Sequence, residues 1–213
     1  MRCAGIILCG GRSSRMGLSK AMLPFGPERL LQRVVRLLRQ AVDEIVVVAA
    51  PRQQLPELTP EVRIVYDRAE GRGPMEGMFR GLSSLPWNTD EAFVSGCDVP
   101  FLVPGFVVRL TELLGGHAIA VPFSEGYHQP LAAVYRREVA VEIERLLKAG
   151  QRCPLALFDV VPTRFVSVPE LVDVDPELAT LQNLNRPEEY LIALQRAGFP
   201  LSPEVAAGIV RLG

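Results

Sequence analysis

The 213-residue chain is predicted to be an α/β protein, a single three-layer α/β/α domain around a mostly parallel sheet. Three observations carry that expectation. Short apolar, β-branched runs recur along the chain. Segments with helical spacing separate most of them, and strands that alternate with helices of this length pair mainly in parallel, with both faces of the sheet covered. The first apolar run also stops at a pair of glycines, and the loop after a strand's carboxyl end is where open α/β sheets bind ligands.

The strands are expected at Ile6–Leu8, Ile45–Ala49, Val62–Tyr66, Ala92–Ser95, Ala118–Val121, Leu131–Tyr135 and Phe165–Val168. One helix is expected over Leu30–Gln40, with Leu30, Val34, Leu37 and Leu38 on one face. A second starts near Pro104, where proline suits the first turn, and runs to Leu114 before two glycines. A third spans Glu138–Lys148, with Val139, Ile143, Leu146 and Leu147 inward and Gly150 as its stop. A fourth runs from Pro187 to about Arg196, and the segment from Gly73 to Gly77 leads into another. His117 is expected to be an ordinary strand residue. The polar, proline-rich stretch 51–61 is too short to separate two domains. Residues 1–197 are therefore read as the domain and 198–213 as a tail to which the sequence assigns no role.

Composition narrows the function. Net charge is −1 with no block of like charge, which argues against a nucleic-acid coat or an anionic membrane surface as partner. No apolar run is long enough to span a membrane, and the N-terminus lacks the pattern of a signal peptide. The four cysteines, Cys3, Cys9, Cys97 and Cys153, form no C-x-x-C pair. The first three lie in or beside apolar runs and read as small buried residues, a pattern that suits a reducing cytoplasm. With two histidines in the chain, a zinc site has little support.

Residues 8–20 read LCGGRSSRMGLSK. Gly10 and Gly11 let a ligand approach the backbone, whose N–H groups can face phosphate oxygens. Arg12, Arg15 and Lys20 offer positive charge to a triphosphate. Lys20 is one of only two lysines among 23 basic residues, so its place in this loop points to a compact ammonium wanted on a phosphate. The loop is neither a Walker A sequence nor a Rossmann G-x-G-x-x-G, so an NTPase or dehydrogenase does not follow from it. Asp98, in Cys97-Asp98-Val99-Pro100, stands just past an expected strand, where a carboxylate can ligate magnesium or cap a turn. Asp67 follows another strand, and a carboxylate can accept both N1–H and N2–H of guanine. A turn role, or pairing with Arg68 or Arg72, is the alternative for Asp67.

The loop resembles the first motif of nucleotidyltransferases, L-x-G-G-x-x-x-R-M-G-x-x-K. It is most similar to that of the molybdenum cofactor guanylyltransferases. Three further segments fit in the same order: DRAEGRGPMEG at 67–77, SGCDVPFL at 95–102 and NLNRPEEY at 183–190. Together they span about residues 3–196. The resemblance implies a Rossmann-like nucleotidyltransferase fold and transfer of GMP from GTP to molybdopterin or its molybdenum-loaded form, with release of pyrophosphate. It implies catalytic roles for Arg15, Lys20 and Asp98, and nucleotide contacts from Leu8, Cys9, Gly10, Gly11, Lys20, Asp67, Gly73 and Asp98. Mg²⁺ would sit on Asp98, with Asn185 nearby, while Asn183 and His128 would face the second substrate. For Asn185 a helix-capping role is the alternative, and for His128 a turn or substrate contact is favoured over general-base work. Other cofactor-biosynthesis proteins or molybdoenzyme chaperones are the expected partners, in the cytoplasm, with neither nucleic acid nor membrane.

The sequence departs from the family pattern at several places. Ala49 stands where relatives often carry an asparagine that touches the nucleotide. Glu76 stands where a small residue is usual, Arg186 replaces a threonine, and Cys9 replaces an alanine. Three other activities remain open: cytidylyl transfer to molybdopterin, sugar-1-phosphate nucleotidyl transfer, and a catalytically silent nucleotide-binding partner of a molybdoenzyme. Cytidylyl relatives usually read A-A-G where this chain has Cys9-Gly10-Gly11, and Asp67 also favours guanine. Intact Lys20 and Asp98 argue against a silent binder.

Overall fold

The computed structural model describes residues 2–10, 19–68 and 73–200. Among these residues ten strands form: β1 (Cys3–Leu8), β2 (Pro24–Phe25), β3 (Glu28–Arg29), β4 (Glu44–Ala49), β5 (Val62–Tyr66), β6 (Glu91–Gly96), β7 (Ile119–Ser124), β8 (Tyr127–His128), β9 (Ala132–Arg136) and β10 (Thr163–Ser167). Among the described residues five α-helices accompany them: α1 (Leu30–Leu38), α2 (Pro74–Ser83), α3 (Pro104–Leu114), α4 (Val139–Lys148) and α5 (Pro187–Arg196). All seven expected strands are present, with shifts of a few residues at their ends, and α3 and α5 keep their expected bounds. The first helix stops at Leu38, short of Gln40. His117 is not a strand residue. It lies in the bend before β7, where its Nδ1 meets the Leu114 carbonyl at 3.2 Å.

The main sheet runs β10-β7-β9-β6-β1-β4-β5, with β8 added to β7. The pairs β1–β4, β4–β5, β1–β6 and β7–β10 are parallel. β9 lies antiparallel between β6 and β7 and makes the sheet mixed. The chain moves outward from β1 to β4 and β5, then returns to the other side of β1 as β6. β1 and β6 therefore flank a reversal of strand order, and in open α/β sheets ligands bind outside the carboxyl ends at such a point.

Alternation along the strands sends side chains to two cores. On one face, Ile7, Val47 and Phe93 pack with Leu31, Val34 and Leu38 of α1 and with Phe106 and Leu110 of α3. On the other, Ile6, Val48 and Val94 pack with Met75, Met78 and Leu82 of α2 and with Ile143 of α4. The three layers follow from that division. β1 and β6 are buried along their whole length, as central strands covered on both faces must be.

The connection from β4 to β5 has no helix, although the two strands are parallel. Leu55 and Leu58, in the proline-rich stretch, pack against the α1 side of the core instead. The β2–β3 hairpin and α5 form a smaller cluster around Phe25, Leu30 and Tyr190. Phe199 joins it: its ring is 5.6 Å from that of Phe25, edge to face. Residues 201–213 of the expected tail lie outside the described residues. Cys3, Cys9 and Cys97 are buried and reduced, and Cys153 is exposed. No described helix is long and apolar enough to cross a membrane.

Candidate active site

Two loops leave the sheet at the reversal point, one after β1 and one after β6. The Cys97 amide donates to the Leu8 carbonyl at 3.2 Å and the Cys9 amide to the Val48 carbonyl at 2.8 Å, so strand pairing continues one residue past the assigned ends. At Gly10 the first loop departs. Its far end returns at Ser19, just before a short 3₁₀ turn at Lys20–Met22. That turn places Lys20 over the end of β6.

The Lys20 ammonium donates to Asp98 Oδ2 at 2.6 Å and to Asn185 Oδ1 at 3.0 Å. Three residues from three separate motifs thus meet, with the Lys20 and Asp98 side chains 20% and 17% exposed. The site is open to a ligand yet partly shielded, which strengthens its electrostatics relative to bulk water. The Asn185 loop is tied to Asp98 by the Leu184 amide, which donates to the Asp98 carbonyl at 2.9 Å. From the other side, Arg33 of α1 donates through Nε to the Pro100 carbonyl at 2.6 Å. Its guanidinium lies 4.8 Å from the centre of the Phe25 ring. Asn185 is not the cap of α5. Glu189 reaches back to accept from the amides of Asn185 and Arg186 at 2.6 and 3.1 Å, which leaves the Asn185 side chain to Lys20.

Gly96 sets the position of the carboxylate. A Cβ on Gly96 would stand 2.4 Å from Asp98 Oδ1, closer than any real contact. Gly96→Ala is therefore expected to push the carboxylate off Lys20. Turnover should fall about a hundredfold, the scale of a misplacement near 1 Å, with little change in thermal stability. Steady-state kinetics beside a thermal melt would check both parts, and unchanged turnover would show that the Asp98 position is not critical.

One residue of this region escaped the sequence reading. Gln53 donates through Nε2 to the Cys9 carbonyl at 3.0 Å and to Ser19 Oγ at 3.1 Å, and it accepts from the Ala50 amide at 2.9 Å. One amide group thereby ties together the two ends of the glycine-rich loop and the end of β4. It stands in the loop just after Ala49, where the departure from the family pattern left a contact unexplained. The only sequence signal was a glutamine pair in a polar loop.

Asp67 follows β5, and its amide donates to the Ala49 carbonyl at 2.9 Å. Its Oδ1 is buried and has no hydrogen-bond partner among the described residues. A Cβ on Gly10 would lie 2.9 Å from Asp67 Oδ2, so the glycine lets the chain pass directly over the carboxylate. Gly77 of α2 closes the other side, where a Cβ would meet Leu8 at 3.2 Å and Asp67 Oδ1 at 3.7 Å. Burial, then the Glu76 carboxylate, push the Asp67 carboxyl up to about 6, and Arg80 opposes them. A buried acceptor without a donor is costly.

The remaining expected residues are spread around this centre. Leu8 and Cys9 are buried, with their carbonyls bonded to the Cys97 amide and the Gln53 side chain. Gly73 caps α2 with φ +81, a left-handed conformation that explains the glycine by itself. Asn183 is exposed, two residues before Asn185. His128 sits in β8, on the far side of β9 from β6, with its ring 5.0, 5.3 and 4.8 Å from those of Phe123, Phe158 and Phe165. Its Nδ1 is buried without a hydrogen-bond partner among the described residues. Gly11, Arg12 and Arg15 lie outside the described residues, as do residues 69–72 of the second motif.

Comparison with known proteins agrees with this geometry. The model of the MobA-like NTP transferase domain matches residues 5–160. A probable molybdenum cofactor guanylyltransferase of Methanosarcina mazei is 36% identical over 197 residues, covering 87% of each chain. Another of that description, from Mycolicibacterium paratuberculosis, is 39% identical over 175 residues, covering 80% of this chain and 87% of its own. Among solved structures, molybdopterin-guanine dinucleotide biosynthesis protein A from Archaeoglobus fulgidus superposes with a TM-score of 0.77 at 22% identity, over 92% of this chain and 98% of that one. Sheet order, loop geometry and sequence likeness lead to one assignment: the chain belongs to the MobA-like NTP transferase family.

Proposed function

We propose that the protein transfers GMP from GTP to molybdopterin, or to its molybdenum-loaded form, and releases pyrophosphate. The observation that carries this reading is the Lys20–Asp98–Asn185 cluster at the strand-order reversal, with the unanswered Asp67 acceptor at the same sheet edge. Relatives described as probable molybdenum cofactor guanylyltransferases support the choice of substrates.

The terminal phosphate oxygen of the pterin attacks the α-phosphorus of GTP in line. A new P–O bond forms as the bond from the α-phosphorus to the β-phosphate bridging oxygen breaks, and pyrophosphate carries off the electron pair. That phosphate is already ionised at neutral pH, so no protein base is needed. The protein supplies position and positive charge. Lys20 neutralises charge on the departing pyrophosphate, with Arg15 from the same loop. Leu8, Cys9, Gly10, Gly11 and Gly73 border the nucleotide, while Asn183 and His128 lie toward the second substrate.

The donor set fits a magnesium ion. Asp98 Oδ2 and Asn185 Oδ1 converge on one cationic atom, the Lys20 ammonium, at 2.6 and 3.0 Å. Mg²⁺ commonly takes one or two protein oxygens and completes its shell with phosphate and water. Asp98 and Asn185 would hold it, and when bound it neutralises phosphate charge. Among solved structures of this fold, a Mycobacterium tuberculosis protein in complex with manganese has a TM-score of 0.60 at 17% identity, over 79% of this chain and 89% of that one.

Asp67 reads the base through the donor pair N1–H and N2–H of guanine, which adenine and cytosine lack. Its acceptor role needs the ionised carboxylate. GTP affinity is therefore expected to be full above about pH 6 and to weaken as pH falls through that value, by up to tenfold per unit below it. Among the described residues the charged groups acting on it are Glu76, which opposes ionisation, and Arg80, which favours it. The step should vanish in Asp67→Asn, which separates it from titration of the nucleotide's own phosphates.

Mg²⁺-dependent thermal stabilisation by GTP, CTP, UTP, dTTP and ATP, measured side by side, tests the nucleotide assignment. Selective stabilisation by GTP, lost in Asp67→Ala, is expected. A preference for CTP would move the reading to cytidylyl transfer, and one for UTP or dTTP to sugar nucleotides.

A further inference from the structure

Near Asp67 stands a second buried carboxylate with an oxygen that accepts no hydrogen bond among the described residues. Glu76 lies in the first turn of α2 and is only 2% exposed. Its Oε1 is buried and has no hydrogen-bond partner among the described residues. The Arg68 Nε pairs with it at 3.9 Å, an ion pair too long to be a hydrogen bond, from a side chain that is 57% exposed. A carboxylate so far from water is costly unless something donates to it.

The position of Glu76 indicates what that donor is. The next residue, Gly77, lies against Leu8 and the Asp67 carboxylate. Glu76 is also close enough to oppose the ionisation of Asp67. Two carboxylates, each with a buried oxygen lacking a hydrogen-bond donor among the described residues, therefore stand near one another at the sheet edge proposed for the nucleotide. They fit a ligand edge that carries a row of N–H donors and repel one that carries acceptors.

Guanine has such an edge, with N1–H and two hydrogens on N2. Asp67 accepts N1–H and one N2–H, so one N2–H is left over. We propose that Glu76 accepts this remaining N2–H and is a base-specificity residue of this chain. The proposal rests on the guanylyl reading above and adds to it a claim about the exocyclic amine. Hypoxanthine keeps N1–H but has no amine, and xanthine turns a carbonyl oxygen toward both carboxylates. The full chain should therefore bind GTP more tightly than ITP, and XTP least.

The test is calorimetric titration of the full chain with GTP, ITP, ATP and N2-methyl-GTP in Mg²⁺, for wild type and for Glu76→Met. Methionine fills similar space and removes the acceptor. Removing the charge also eases ionisation of Asp67, but that helps GTP and ITP alike and cancels in their ratio. The wild-type preference for GTP over ITP is expected to shrink about tenfold in Glu76→Met, the scale of one hydrogen bond to a charged acceptor. N2-methyl-GTP keeps the pair that Asp67 reads, and should bind wild type about tenfold more weakly than GTP. An unchanged GTP-to-ITP ratio in Glu76→Met, or equal binding of N2-methyl-GTP and GTP by wild type, would overturn the role of Glu76 while leaving that of Asp67 intact. No preference for GTP over ATP in wild type would overturn the guanine reading itself, and this inference with it. The methylated nucleotide needs no variant, so the result does not depend on whether Glu76→Met folds.

Discussion

Asp98→Ala is expected to lower turnover by at least about a thousandfold and to leave the fold intact. The size follows from the chemistry. In-line transfer at the α-phosphorus is carried by charge neutralisation and alignment, and removing one such element from a phosphoryl-transfer site costs on the order of 10³ or more. Asp98 is the one carboxylate in contact with Lys20 among the described residues, and it shares that ammonium with Asn185. The structural loss should be small. The backbone bond from the Leu184 amide to the Asp98 carbonyl does not involve the side chain. The ion pair with Lys20 is partly exposed, and such pairs contribute little to stability. A melting temperature within a few degrees of wild type, beside turnover at background, is the expected pair of results. Turnover near wild type would remove Asp98 from the mechanism.

Lys20→Ala should lower kcat about a hundredfold or more and weaken GTP binding much less. In the free protein the ammonium is held at the end of β6 by Asp98 and Asn185, both of which are expected to turn to magnesium when the nucleotide binds. In the proposed reaction Lys20 would then face phosphate, and the charge it meets would grow as pyrophosphate departs. An interaction that strengthens toward the transition state appears in kcat. Equal losses in kcat and in GTP affinity would make Lys20 a ground-state binding residue. Lys20→Arg is a sharper test, because a planar fork does not replace a compact ammonium between two oxygens. It should recover only part of the lost rate.

The sheet was largely legible because its strands are short apolar runs between helices, and burial on both faces leaves that mark in sequence. Strand direction was not legible. β9 is buried over Ala132–Tyr135, much as β6 and β7 are, yet it runs antiparallel to both. Composition reports burial and says nothing of polarity along the strand. The β2–β3 hairpin was missed for a different reason. It is only two residues long on each side, and it is held by Phe25 packing on Tyr190 and Phe199, distant partners that no local window contains.

The site divided in the same way. Lys20, Asp98 and Asn185 stood out because each lies in a motif at a strand end or before a helix, and the fold brings these three together. Gln53 did not stand out, since its role exists only once Cys9, Ser19 and Ala50 are neighbours. The choice for Asn185 between capping and the active site was also closed to sequence. It turned on Glu189, one turn into α5, which takes the capping role itself. Glu76 was visible as a departure from the usual small residue, but its burial and unanswered oxygen required the packing of α2 on β1 and β5.

The most direct test of guanylyl transfer is pyrophosphate release by the full chain with molybdopterin and Mg²⁺, with GTP and CTP supplied separately. Release in step with formation of the guanine dinucleotide product, absent without the pterin and absent in Asp98→Ala, is the expected result. Binding of GTP with no pyrophosphate released in the presence of the pterin would contradict it and make the protein a nucleotide binder that does not turn over.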